Sequence, residues 1–100
     1  MTDTIKVQFQ GWGCDVVQQR YENGRIALRL RDSIDGESVA MAIINVPEEH
    51  LAEDEVIVKD YSENEGMLAA LVKAGVVEPT GRVCVSGVIR APVCKLKVSL

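Results

Sequence analysis

The side chains of this sequence that could act together in a functional site are carboxylates. Eight of them lie between residues 47 and 66, where Lys59 is the one basic residue. This segment therefore carries a net charge of −7 in a chain whose total is −4. Negative charge at this density repels nucleic-acid phosphates. We expect no direct contact with nucleic acid and predict a partner protein with a basic surface.

Acidic groups that meet Lys and Arg clusters steer association and give specificity. We predict a protein-binding surface of nine residues: Glu48, Glu49, Glu53, Asp54, Glu55, Asp60, Tyr61, Glu63 and Asn64. The alternative for part of this set is a divalent-cation site made by Glu53, Asp54, Glu55 and Asp60. The spacing of an EF-hand loop is absent, and we predict no metal or other cofactor.

Groups suited to catalysis are few. Nucleophilic catalysis needs a base beside a serine or cysteine, and the only histidine, His50, lies in the acidic run. No glycine-rich phosphate loop is present. We therefore predict that the protein is not an enzyme.

The three cysteines, Cys14, Cys84 and Cys94, include no CxxC pair. We expect them to be reduced and to fill a core or strand face. A reactive cysteine is the alternative.

Two other features have competing interpretations. Arg25, Arg29 and Arg31 alternate along one strand, and we expect a solvated row paired with acids, with phosphate binding as the alternative. Trp12 lies between two glycines, and we expect it to be partly buried rather than an exposed anchor.

One hundred residues are the size of a single domain, which we assign to residues 1–100. No apolar run approaches the roughly 20 residues of a membrane span. The N-terminus "MTDTIKVQFQ" does not have the pattern of a signal peptide. We therefore expect no membrane association and a cytoplasmic location.

Alternating polarity predicts an α+β fold, with a mostly antiparallel, twisted sheet of about six strands and one principal helix, residues 62–74, packed on it. Asn23-Gly24 predicts a type I′ hairpin turn. The stretch "SVAMAIINV" is apolar on both faces, which is typical of a central strand. "RVCVS" predicts another strand, and the last strand ends the chain.

The helix has start and stop signals. Ser62 and Glu65 have the spacing of a capping box. Met67, Leu68, Leu71 and Val72 form one apolar stripe, and Gly75 is placed to end the helix. These signals do not explain Asp60, Tyr61 or Asn64, which either form an exposed recognition turn or tie the strand end to the helix start.

Three stretches, "YENGRIAL", "KDYSENEGMLAALVKAGVVEPTGR" and "APVCKL", resemble a family of short bacterial proteins of unknown function. Its members are carried on plasmids, conjugative elements and phages. The similarity runs over most of residues 20–96. The resemblance implies a bacterial cytoplasm, or the host cytoplasm for a phage-borne copy, and an accessory role on a mobile element. It implies no catalytic residue.

The sequence thus predicts a small noncatalytic, acidic accessory protein that binds another protein. Its specific form is an inhibitor of a host defence system, of the anti-CRISPR or antirestriction type, which presents phosphate-like charge to a nuclease. The alternative is a structural domain that forms a homodimer through an edge strand such as residues 94–100.

Overall fold

The computed structural model describes residues 5–98 and shows a mostly antiparallel α+β protein, as predicted. It has eight strands in two sheets rather than about six in one, so that part of the prediction is wrong. The strands are β1 (Ile5–Phe9), β2 (Trp12–Arg20), β3 (Ile26–Asp32), β4 (Ser38–Met41), β5 (Ile43–Ile44), β6 (Glu55–Val58), β7 (Val77–Ser86) and β8 (Ile89–Leu96).

Each sheet has four antiparallel strands. The first has the order β1-β2-β3-β4 and the second the order β5-β6-β8-β7. The main core unites buried side chains of both sheets, such as Leu28 and Val56, with Met67 and Leu71 of the helix. Successive side chains of a strand point to opposite faces of its sheet, so every second residue of a strand can face this core. No helix within residues 5–98 has both the length and the apolar character needed to cross a membrane.

The first two hairpin turns have different geometries. Gln10 and Gly11, with φ of 49° and 81°, form the two-residue loop between the paired Phe9 and Trp12. Positive φ at both loop residues is the mark of a type I′ turn. At Asn23-Gly24 only Gly24 has positive φ, and its N–H donates to the carbonyl of Tyr21. The hairpin exists there, but the predicted type I′ turn is wrong.

The stretch predicted as one central strand is two edge strands that meet at a corner. Strand β4 lies at the edge of the first sheet and β5 at the edge of the second. Ala42 stands between them, donates its N–H to Leu28 at 2.8 Å and accepts from the N–H of Lys59 at 2.8 Å. The chain therefore passes from one sheet to the other, which explains why both of its faces are apolar.

The last described strand is not an edge. Lys95 of β8 is paired with Glu55 of β6 on one side and with Glu78 of β7 on the other. An edge at residues 94–96 is therefore ruled out. Lys97 follows the ladder and donates its N–H to Val76, and residues 99–100 lie outside the described part of the chain. The second sheet instead has its outer edge at β7.

The helix is shorter than predicted and is capped differently. Residues Ser62–Asn64 form a 3-10 turn, and α1 spans Met67–Lys73. Ser62 makes no side-chain cap, so the predicted capping box is wrong. Asp60 caps the helix instead, because its Oδ1 accepts from the N–H groups of Gly66 at 3.1 Å and Leu68 at 2.9 Å. A carboxylate there satisfies donors that the first turn leaves free.

The predicted helix end is confirmed. Gly75 has a φ of +75°, and its N–H donates to Val72 while the N–H of Val76 donates to Leu71. This pair of bonds is a Schellman motif. Met67 and Leu71 are fully buried, whereas Val72 is 41% exposed.

We predict that Asp60→Ala lowers the free energy of unfolding by about 1 kcal/mol, because two helix N–H groups lose their acceptor. Ser62→Ala is the matched control and should change it by less than about 0.5 kcal/mol. Urea denaturation at neutral pH measures both. A larger loss for Ser62→Ala than for Asp60→Ala would contradict this cap assignment.

Candidate functional site

The predicted binding surface is divided by a strand. Residues 46–55, a loop and the first residue of β6 that follows it, are here called the acidic loop, whereas Asp60, Tyr61, Glu63 and Asn64 follow the other end of that strand. At about 3.3 Å per residue, Glu55 and Asp60 stand roughly 16 Å apart along it. The nine residues therefore form two clusters.

The acidic loop is fixed to the fold by its apolar residues. The outer face of the second sheet carries a small core of Ile57, Cys84, Ala91 and Val93. Val46 and Leu51 of the loop pack against this core. The loop therefore covers an apolar sheet face, and its charged residues are left on the solvent side.

Two arginines fix the loop through its main chain. The guanidinium of Arg25 donates to the carbonyls of Val46, at 2.6 Å, and Glu49. Arg82 donates to the carbonyl of His50 at 2.7 Å. Hydrogen bonds from a charged donor are the stronger kind. These contacts hold the loop backbone without neutralising the carboxylates of Glu48, Glu49 or Glu53.

Ion pairs involve only part of the loop. Glu55 accepts from Arg82 at 2.9 and 3.0 Å, and Asp54 lies 3.6 Å from Lys95. Within residues 5–98, Glu48, Glu49 and Glu53 have no ion-pair partner. Glu48 and Glu53 are exposed and Glu49 is half-buried. The loop thus keeps uncompensated negative charge at three positions.

A depression lies on each side of the acidic loop. The larger, about 530 Å³, is an open cleft against the β2–β3 hairpin, with Glu53, Asp54 and Glu55 facing Arg20 and Arg25. The smaller, about 330 Å³, lies between the loop and the end of β7 and is lined by Val46, Glu48, Glu49, Cys84, Val85 and Ser86. Both depressions have carboxylates in their walls, and the larger one also has two arginines.

The second cluster is mostly structural. Asn64 is 2% exposed, and its amide donates to the carbonyl of Met41 at 2.6 Å. Asp60 caps α1, and Glu63 is paired with Lys59. Tyr61 packs against the outer core. This turn was predicted either to be an exposed recognition turn or to tie the strand end to the helix start. For Asp60 and Asn64 the structure shows the second. The side chain of Asn64 is therefore not part of the accessible surface.

The other residues singled out from the sequence lie apart from the loop or are buried. Cys14, Cys84 and Cys94 are buried free thiols, as expected. Burial raises the pKa of all three, that of Cys94 to about 11. Within residues 5–98, no cluster of His, Cys, Asp or Glu is arranged to hold a metal ion. His50 is exposed on the acidic loop.

Trp12 and the arginine row differ from expectation. Trp12 is 54% exposed, so its predicted partial burial is wrong. The arginines do not form one solvated row paired with acids. Arg25 binds carbonyls of the acidic loop, Arg29 contacts the sulfur of Met41 at 3.5 Å, and Arg31 is exposed.

Comparisons of the chain with protein-family models, with curated proteins and with solved structures find no match. The resemblance to mobile-element proteins therefore stays a prediction, and the site must be argued from its own geometry.

We predict that the pairing of Glu55 makes stability pH-dependent. The N–H of Ala52 and the guanidinium of Arg82 lower the pKa of Glu55 from its ordinary value of 4.5. The stabilisation is complete above that ordinary value and is lost as the pH falls through the lower folded-state pKa. Glu55→Gln should therefore reduce the fall in urea midpoint between about pH 6 and about pH 3.

Glu53→Gln is the matched control, because Glu53 is exposed on the same loop. It should leave the pH dependence close to that of the unmodified protein. Equal pH dependence in the Glu55→Gln variant and the unmodified protein would contradict the assigned role of Glu55.

For Asn64, we predict that replacement by Ala lowers the free energy of unfolding by about 1–3 kcal/mol, because the carbonyl of Met41 loses the hydrogen bond that the buried Asn64 amide donates. Glu65→Ala, at an exposed neighbour, should change it by less than about 0.5 kcal/mol. Equilibrium urea unfolding of both variants checks this. A loss of similar size in the two variants would show that the Asn64 amide contributes nothing specific.

Proposed function

We propose that this protein is a noncatalytic binding protein whose acidic loop docks onto a basic surface of a partner protein. The observation that carries the proposal is the way in which the loop is anchored. Arg25 and Arg82 bind its carbonyls, and Val46 and Leu51 bind the sheet. Glu48, Glu49 and Glu53 thus lie, without an ion-pair partner within residues 5–98, on a backbone that is held in place before binding.

Preorganisation supports binding rather than stability as the role of these carboxylates. A loop that is already ordered loses less conformational entropy when it meets a partner. Carboxylates without internal cations also give a local negative potential, which raises the association rate with a basic surface and makes it salt-dependent. These carboxylates are not needed for the fold, which rests on the cores and the arginine–carbonyl bonds.

In its most specific form, the proposal makes the partner a nucleic-acid-binding protein of a host defence system, with the acidic loop in the place of phosphates. Three carboxylates without an ion-pair partner among the described residues, all on one anchored loop, support this form. It includes a bacterial cytoplasmic location and a mobile-element origin, as the family resemblance implies. The partner's surface would then be one that otherwise binds DNA or RNA.

The test compares two doubly neutralised variants of equal net charge. Glu48→Gln with Glu53→Gln removes two charges from the acidic loop. Glu37→Gln with Glu65→Gln removes two charges from exposed positions elsewhere. We predict that immobilised unmodified protein and the second variant retain the same host protein from a bacterial lysate, and that the loop variant loses it.

Quantitative mass spectrometry of the retained proteins, at low and at raised salt, measures the effect. We expect at least a roughly tenfold loss of retention for the loop variant, and weaker retention by the unmodified protein at high salt. Equal retention by the loop variant and the unmodified protein would contradict the proposal. Equal loss in both variants would also contradict it, because it would show that net charge alone is responsible.

A further inference from the structure

The outer half of β7 is an open strand edge. Strand β7 lies at the edge of the second sheet, and its two halves differ. Over residues 77–81 the edge is interrupted by Pro79 and by an irregularity in register that extends from Pro79 to Val83, with Gly81 at a φ of +88°. A proline and a bulge both hinder pairing with another strand. Residues 83–86 have neither a proline nor a bulge.

The hydrogen-bonding direction of this half follows from its hairpin. Ser86 and Ile89 close the two-residue loop and are therefore a hydrogen-bonded pair. Such pairs alternate along an antiparallel ladder, so Cys84 is bonded to Ala91. The N–H and C=O groups of Val83 and Val85 then point away from β8. Pro92 agrees with this, because it stands opposite Val83 and has no N–H.

The side chains on this edge are apolar and accessible. Val83 is 50% exposed and Val85 is 60% exposed, and they share one face of the strand. Arg82, Cys84 and Ser86 occupy the other face. Two outward-facing backbone pairs and two exposed valines thus lie together, with no lysine or proline to block an approaching strand.

We propose that a second copy of this chain pairs with this edge, antiparallel and about a two-fold axis that passes beside Cys84. In this register Val83 lies opposite Val85 of the second copy, and Val85 opposite its Val83. Both positions have outward N–H and C=O groups, so the pairing makes four main-chain hydrogen bonds. The four valines meet on one face of the joined sheet.

Charge favours the same arrangement. Arg82 is the only charged residue among residues 82–86. The register places it opposite Ser86 of the second copy, at the depression that Glu48, Glu49 and Ser86 line. Each arginine, which also binds Glu55 and the His50 carbonyl of its own copy, lies near the other copy's carboxylates and away from its own symmetry mate.

The interface is small, so the dimer is weak. Five residues from each copy bury less area than a standard stable interface, and such contacts are typical of transient association. The protein is therefore a monomer when dilute and a dimer when concentrated. Of the three partner-binding carboxylates, Glu53 lies in the other depression and stays accessible in both states, whereas Glu48 and Glu49 lie beside the dimer contact.

The first experiment is sedimentation equilibrium over concentrations up to about 1 mM, a range that reveals weak dimers. The unmodified protein should show a monomer–dimer equilibrium. Val85→Lys should raise the dimer dissociation constant at least roughly tenfold, because it brings a charge into the valine cluster. Ile34→Lys, at a side chain that is 97% exposed in a distant turn, is the matched control and should leave it unchanged.

A thermal unfolding transition checks that the Val85→Lys and Ile34→Lys variants are folded. If Val85→Lys does not fold, Val83→Lys is used in its place. A monomer at all concentrations would overturn the proposal. A dimer that Val85→Lys does not weaken would also overturn it. Neither outcome affects the acidic-loop proposal, whose variants leave residues 82–86 unchanged.

A second experiment tests the register by disulfide crosslinking of single-cysteine substitutions. A mixture of Val83→Cys and Val85→Cys proteins should form a linked dimer under mild oxidation, because opposite residues of a hydrogen-bonded pair have Cα atoms about 5.5 Å apart. Either variant alone should crosslink poorly at the new position, because its symmetry mate is displaced by two residues to roughly 7–8 Å.

Peptide mass spectrometry identifies the linked residues and separates them from the native cysteines. Efficient crosslinking of Val83→Cys to itself, or equal yields in the mixture and in each variant alone, would overturn the proposed register.

Discussion

The two hydrogen bonds of one buried residue join the two sheets. Ala42 donates to Leu28 of the first sheet and accepts from Lys59, next to the second. Its side chain is fully buried, so a larger residue at this corner would displace the chain from one of its two partners. The neighbouring carbonyl of Met41 accepts a hydrogen bond from the side-chain amide of Asn64. The acidic loop and the segment that leads to α1 therefore both start from fixed points beside this corner.

The arrangement of the loop separates anchoring from recognition. An arginine that binds a carboxylate fixes a side chain and cancels its charge, whereas an arginine that binds a carbonyl fixes the backbone and cancels nothing on the loop. Arg25 does only the second, and Arg82 does both, through His50 and Glu55. The loop backbone is thus held at Val46, Glu49 and His50, while the carboxylates of Glu48, Glu49 and Glu53 have no ion-pair partner within residues 5–98. A loop of this kind can be stable and strongly charged at the same time.

Local sequence signals predicted part of the local structure, although the turn type at Asn23-Gly24 and the capping box at Ser62 were wrong. The Schellman end at Gly75, the hairpins and the buried stripe of Met67 and Leu71 depend on residues close together in sequence. The predictions failed where distant contacts decide. Asp60 replaces Ser62 as the helix cap because the 3-10 turn brings it back over the first turn of α1. Asn64 has the polarity of a surface residue, and only the position of Met41 in three dimensions explains its burial.

The candidate site was predictable in composition but not in arrangement. A run of acidic residues indicates a charged segment, yet nothing in the run reveals that β6 divides it or that arginines contact its carbonyls. The stretch "SVAMAIINV" shows the same ambiguity, because two apolar faces are equally typical of a central strand and of a corner between two sheets. Pro79 was the one signal for the open edge, since proline within a strand indicates an edge.

The acidic loop and the open edge affect each other through charge. Glu48 and Glu49 line the depression beside Cys84, Val85 and Ser86, so any strand that approaches this edge enters a negative potential. An acidic or phosphorylated segment is repelled there, and a segment with a basic residue opposite Ser86 is favoured. The chain's own residues 82–86 meet that requirement through Arg82 and supply the matching valines. The carboxylates thus restrict an edge that would otherwise accept many apolar strands, and the selectivity arises from the loop rather than from the strand itself.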